Sequence, residues 1–229
     1  MSKKKKLIKI REILKKNYID FNFFNKDRIF DEILYIFLSW RTPISKAESF
    51  YQELASDFRD RNALFNLDED QWFTRLESGG KASDKSRTIV RLLKKIRNDF
   101  GSVEAVEALS MKCDEEVHKY LVSLPGIKDK SAYCIMLYTM KRPVFPADAH
   151  CLRICQRLGV IEGTNSRKQD RVRGQMELNQ LMKGDYQLCY DLHITMIQHG
   201  QSVCKRIPLC DKCVISNMCD YYNKIKGTK

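Results

Sequence analysis

The stretch LPGIKDKSAYC, residues 124–134, decides how the rest of the chain is read. Pro125 fixes φ and Gly126 tolerates a positive φ, so the pair marks a tight turn, and the text after it runs at helical spacing. Such a turn can be plain punctuation between two helices. It can also feed a helix whose first backbone N–H groups point outward, which suits a phosphate. Lys128 and Lys130 at the start of that helix add positive charge in the same place.

The composition fits a polyanionic partner. Lys and Arg number 41 against 29 Asp and Glu, a formal charge of +12. Nucleic acid is expected first, and an anionic membrane surface second. With 229 residues and 43% hydrophobic content, the chain can build one large or two modest domains around a real core. The opening MSKKKKLIKIREILKK is basic but has neither an apolar run nor a small-residue cleavage site. FDEILYIFLSW is broken by Asp31 and Glu32 and followed by Arg41, which argues against a membrane span. A soluble, cytoplasmic protein is expected. In a reducing compartment nine cysteines should not form a disulfide framework, so any cluster among them suggests metal or redox chemistry.

The fold class reads as all-α. DEILYIFLSW, KAESFYQELASDF, KSRTIVRLLKKIRNDF, EEVHKYLVSL, SAYCIMLYTM, AHCLRICQRLGV and QLCYDLHITMIQ carry apolar residues at three- and four-residue spacing, and strand-like alternation is hard to find. Turns fall at Gly79-Gly80, Pro125-Gly126, Arg142-Pro143, residues 163–166 and Gly184-Asp185. The Lys3–Lys6 run suits either a solvated helix start or a phosphate-binding arm.

Two constellations carry chemistry. In CKRIPLCDKCVISNMC, the cysteines at 204, 210, 213 and 219 follow the spacing C-x5-C-x2-C-x5-C. Four thiolates so close in sequence can wrap one metal centre, and spacing alone leaves zinc and a [4Fe–4S] cluster both open. The other five, Cys113, Cys134, Cys151, Cys155 and Cys189, lie in helical text and read as core residues. In the second constellation Lys130 occupies the first turn of its helix, and Asp148 follows in KRPVFPADAHCLRI as the N-cap of the next one. A first-turn lysine is a candidate nucleophile if it is partly desolvated. A helix from Lys130 to Met140 climbs ~15 Å, which the extended segment after it is long enough to retrace, so the chain can return Asp148 to Lys130. Otherwise Lys130 is a solvated charge and Asp148 an ordinary cap.

Taken in order, LPGIKDKSA resembles the helix-hairpin-helix of the endonuclease III family of DNA glycosylases. VFPADAH resembles the loop carrying that family's aspartate, and the cysteine group resembles its terminal [4Fe–4S] motif. The resemblance covers nearly the whole chain. It implies a two-lobed all-α protein: a central helical barrel over residues 25–141, and an iron–sulfur lobe built from residues 1–24 and 142–229. Double-stranded DNA with a damaged base or an abasic site would be the partner, bound by a monomer, with the damaged nucleotide flipped out. Lys130 and Asp148 would be catalytic, acting in a glycosylase and abasic-site lyase for damaged, oxidised pyrimidines. Gly126 and Lys128 would hold a phosphate through their amides, and Cys204, Cys210, Cys213 and Cys219 would hold the cluster.

Four departures bear on substrate. Lys128 stands where the family usually has a second glycine. Trp40 and Arg41 replace the residues around a glutamine that fills the gap left by the flipped base; Arg41 would then read the orphaned base, guanine by preference, or simply contact phosphate. Lys81 stands where a leucine wedge is common and is assigned a DNA contact. The first cysteine spacing is one residue short, in a loop whose Lys205 and Arg206 suit phosphate. A relative acting on mismatched thymine, uracil or another modified base is the first alternative, and a non-catalytic DNA-binding module the second.

Overall fold

The computed structural model describes residues 1–18, 23–162 and 168–227. Two compact units divide the chain, one of residues 1–21 with 141–229 and the other of residues 22–140. Among the described residues the regular structure is entirely helical, and no helix is long and apolar enough to cross a membrane. The turn expected at 163–166 lies outside the described residues.

Helix α1 (Lys3–Asn17) opens the first unit. The second unit then follows with α2 (Ile29–Leu38), α3 (Ile44–Asp57), α4 (Glu69–Leu76), α5 (Ala82–Phe100), α6 (Asp114–Ser123) and α7 (Asp129–Tyr138). Short 3-10 segments, Arg61–Asn66 and Glu104–Met111, join α3 to α4 and α5 to α6. The chain returns to the first unit for α8 (Ala149–Arg157), α9 (Lys168–Met182), α10 (Tyr186–Ser202) and α11 (Asp220–Gly227).

Helix α2 is the axis of its unit. Nearly all its residues are buried, and it packs against α3 and α7. Burial extends to Asp31, which pairs with Arg61 at 3.3 Å, and to Glu32. Helix α5 buries Ile89, Leu92, Leu93 and Ile96 on one stripe and packs against α4, whose Trp72 and Leu76 are buried. Each such side chain stabilises the fold by ~1.5–3 kcal/mol relative to exposure. Helix α4, though short, starts with a capping box in which Asp68 and Gln71 satisfy each other's backbone N–H groups.

In the other unit α10 is the buried element, with α1 and α8 against it. Leu7, Ile10 and Leu14 of α1 face that core. Buried Asp191 of α10 accepts from Arg11 at 2.6 Å and from Lys15 at 3.1 Å, which fixes the register between the two helices. Of the basic opening, Lys6 pairs with Asp220 at 2.8 Å while Lys3, Lys4 and Lys5 are exposed. Four of the five scattered cysteines are buried as expected, but Cys113 is exposed. It sits at the N-cap of α6, where Glu116 reaches back to its backbone N–H, so it caps a helix instead of filling the core.

Candidate nucleic-acid interface and cysteine centre

The hairpin between α6 and α7 is closed by Ile127 N donating to Leu124 O at 3.1 Å, with both side chains buried. Gly126 has φ +86°, and a Cβ there would lie 2.8 Å from Phe37 Cε2 of α2 and 3.1 Å from Thr88 Cγ2 of α5. Only glycine meets both the backbone conformation and the close approach. Lys128 is the N-cap of α7 with extended backbone. Among the described residues, Gly126 N and Lys128 N take no backbone carbonyl. They are therefore available, together with the first amides of α7, to an external acceptor.

Lys130 is the second residue of α7, in its first turn as expected. It is exposed, as are Lys128 and Asp129 beside it, so packing within this unit does not supply the desolvation the sequence reading required of an activated amine. The charge of Lys130 does act on a residue that reading passed over. Glu32 of α2 is fully buried, and its carboxyl is pushed up to about 7 by that burial. Opposing the shift are hydrogen bonds from Lys26 N at 2.6 Å and Asn25 Nδ2 at 2.5 Å, and then the charges of Lys26 and Lys130. The available signal was an acidic residue inside the apolar run IFDEILYIFL.

Arg41 and Lys81 are brought together. After α2 the chain turns through residues 39–42, with Trp40 N donating to Phe37 O and Thr42 N to Ser39 O, and Arg41 takes a left-handed φ of 51°. Buried Lys85 of α5 donates to Leu38 O at 2.9 Å and to Thr42 Oγ1, gripping this turn from beneath. Burial lowers that amine to about 8. The next turn packs on the first: a Cβ on Gly80 would lie 2.8 Å from Arg41 O. Lys81, with φ 65°, then caps α5. The hairpin glycine rests on the same two helices, so three turns bearing exposed Arg41, Lys81, Lys128 and Lys130 gather around α2 and α5.

Asp148 belongs to the other unit. It is the N-cap of α8, where its Oδ1 accepts from Cys151 N at 2.8 Å, and it is half-buried. The Cys151 thiol beneath it is pushed well up by burial and then by the Asp148 charge.

In the same unit Cys204, Cys210, Cys213 and Cys219 line one small pocket, together with Arg157 and Tyr221. Arg157 organises this loop. Its Nη1 donates to Cys204 Sγ at 3.2 Å and to Lys205 O at 2.7 Å, its Nη2 donates to Arg206 O at 2.9 Å, and both loop side chains stay exposed. His199 is buried in α10, with Nδ1 2.7 Å from Tyr18 OH and Nε2 3.6 Å from Cys213 Sγ. Burial and then repulsion from neighbouring sulfurs push the Cys210 thiol up, and half-buried Cys213 reaches about 11, chiefly through burial. A cationic core among the four sulfurs would relieve that repulsion, so this donor set and its cavity fit an iron–sulfur cluster. Among the described residues no three His, Cys, Asp or Glu side chains are disposed to hold a single metal ion.

No family model matches the chain. A candidate DNA repair glycosylase of Methanocaldococcus jannaschii is 25% identical over 217 residues, 93% of this chain and 95% of that protein. The endonuclease III of Sulfolobus acidocaldarius is 32% identical over 111 residues, about half of either chain (47% and 46%). A non-covalent endonuclease III–DNA complex superposes with a TM-score of 0.76 at 18% identity, covering 99% of this chain and all of that one. The chain is thus similar in sequence to endonuclease III and to a candidate DNA repair glycosylase, and it shares the endonuclease III fold. Against the endonuclease III pattern, the missing second glycine of the hairpin has a plain account. Lys128 has φ −119°, which any residue adopts, so a side chain is tolerated there without strain.

Proposed function

We propose that the protein is a bifunctional DNA glycosylase and abasic-site lyase that acts as a monomer on duplex DNA and excises damaged pyrimidines, oxidised ones first. The observation that carries this is Lys130, exposed in the first turn of α7, immediately behind a hairpin whose Gly126 and Lys128 amides are left for an external acceptor. A phosphate held by those amides sets the sugar's distance from the amine. Arg41, Lys81, Lys205 and Arg206 supply further backbone contacts.

In this reading Lys130 Nζ attacks C1′ of the damaged nucleotide, the bond from C1′ to the base breaks, and the base leaves with a proton. The Asp148 carboxylate stabilises the positive charge that develops on the sugar and accepts the proton Lys130 gives up. Opening of the sugar ring leaves an imine between Nζ and C1′. Loss of a proton from C2′ then expels the 3′ phosphate, and the strand is nicked. Cys204, Cys210, Cys213 and Cys219 would hold a [4Fe–4S] cluster, whose contribution when bound is to clamp the basic loop that carries Lys205 and Arg206.

Gel assay of a duplex with one abasic site tests the lyase half: the wild type nicks it, and Lys130→Ala does not. Nicking by Lys130→Ala at the wild-type rate would remove the lysine assignment. Arg41 favours one second reading, a relative that acts on thymine or uracil mismatched with guanine, because a guanidinium matches the guanine edge bidentately. A panel that varies only the base opposite the lesion separates them. Strong preference for guanine supports the mismatch reading, and indifference removes base reading by Arg41.

A further inference from the structure

The chain has two tryptophans, and the fold treats them oppositely. Trp72 lies wholly inside, whereas Trp40 is 40% exposed at the turn after α2. Single exposed apolar side chains are common on this surface; what sets Trp40 apart is the way it is held. The turn that displays it is unusually well fixed. Lys85 is a buried charge spent on Leu38 O and Thr42 Oγ1, on either side of Trp40. Thr42 Oγ1 is in turn 3.3 Å from Trp40 O, and Gly80 closes on Arg41 O from the neighbouring turn. The Arg41 guanidinium carbon stands 5.9 Å from the indole centroid. An aromatic ring with a cation over it is thus held on a pre-organised turn, in the unit that also carries the hairpin.

We propose that the Trp40 ring is a stacking platform for a nucleobase that has lost its place in the duplex, with Arg41 fixed beside it for the adjoining backbone phosphate. The inference rests on the DNA-binding function proposed above and adds to it a specificity element. Every base has a π-face, so stacking on an indole selects unpaired bases over paired ones without reading sequence. Paired bases already stack on their neighbours and offer no free face. Lys85 is the positioning residue for this platform.

The protein carries its own reporter, because Trp72 is buried and a change in indole emission on DNA binding reports on Trp40. The experiment titrates wild type, Trp40→Phe and Trp40→Ala with two duplexes, one intact and one carrying a single stable abasic analogue. Anisotropy of the labelled DNA gives occupancy, and indole emission gives stacking. Wild-type emission is expected to fall in the saturated abasic complex and to change much less on the intact duplex. Trp40→Ala should bind the abasic duplex about 10-fold more weakly, Trp40→Phe should retain most of the affinity, and all three should bind intact duplex alike. Unchanged emission in a complex that anisotropy shows to be saturated overturns the platform while leaving DNA binding intact. Equal quenching on both duplexes also overturns it. No binding by anisotropy overturns the DNA reading and the platform together.

Discussion

Replacing Glu32 with Gln should change how stability depends on pH, and the sign follows from where the carboxyl sits. Glu32 is fully buried, and its pKa rises from 4.5 to about 7 on folding. Between those values the folded protein holds a proton that the unfolded chain has released, so stability is fully present below about 4.5 and falls as pH rises through 7. A shift of that size corresponds to about 3 kcal/mol lost between the two limits. Gln cannot ionise, so the variant escapes the loss. It has its own cost, because Asn25 Nδ2 and Lys26 N donate to the two carboxylate oxygens and an amide offers only one oxygen. One buried donor is left without an acceptor, which costs about 1–3 kcal/mol at any pH. Urea unfolding of wild type and Glu32→Gln at pH 5 and pH 8 isolates the effect as a double difference. The variant should be the weaker protein at pH 5 and should gain on wild type by roughly 2–3 kcal/mol by pH 8. Because the Lys130 charge helps hold Glu32 ionised, Lys130→Ala should deepen the wild-type decline over the same range. Parallel pH profiles for wild type and Glu32→Gln would refute the reasoning.

Gly126→Ala places a Cβ 2.8 Å from Phe37 at a φ of +86°, so it should cost about 2 kcal/mol in denaturant unfolding and weaken duplex binding; a neutral result in both would mean the hairpin does not need its close approach. Asp148→Asn keeps a good N-cap for α8, so unfolding free energy should stay within about 0.5 kcal/mol of wild type while base excision falls roughly 100-fold. Retained excision would make Asp148 a cap and nothing more. Cys213→Ser should abolish the iron and sulfide content of anaerobically purified protein and weaken duplex binding through the basic loop, with Lys130-dependent nicking at saturating DNA less affected; wild-type iron in the variant would reject the ligand assignment.

Helices α2, α3, α5, α6, α7, α8 and α10 could be read from the sequence because each carries apolar residues at helical spacing, although α2, α7 and α10 are buried over more than one stripe. Helix α9 could not, since Val172 and Met176 of KQDRVRGQMELNQLM point to solvent while Gln175 is buried with Leu178 and Met182, and the stripe is blurred. Helix α4 is too short to show a period and is fixed by its capping box and by Trp72. The hairpin was legible because Pro125 and Gly126 act locally. That Arg41 and Lys81 sit on touching turns was not, because it depends on Lys85 crossing from α5 to the end of α2 and on Gly80 closing against Arg41 O. Glu32 was missed for a related reason: two adjacent acids in an apolar run look like an interruption until tertiary packing buries them. Cys113 was misplaced by the opposite error, since thiols usually pack inside but this one caps a helix.

The central claim is that Lys130 bonds covalently to the sugar. Borohydride trapping on a duplex with one abasic site, followed by peptide mass mapping, tests it directly. A stable adduct on the peptide containing Lys130, absent in Lys130→Ala, is the predicted result. An adduct at another amine, or none from cluster-loaded protein that anisotropy shows to be bound to the duplex, would contradict it.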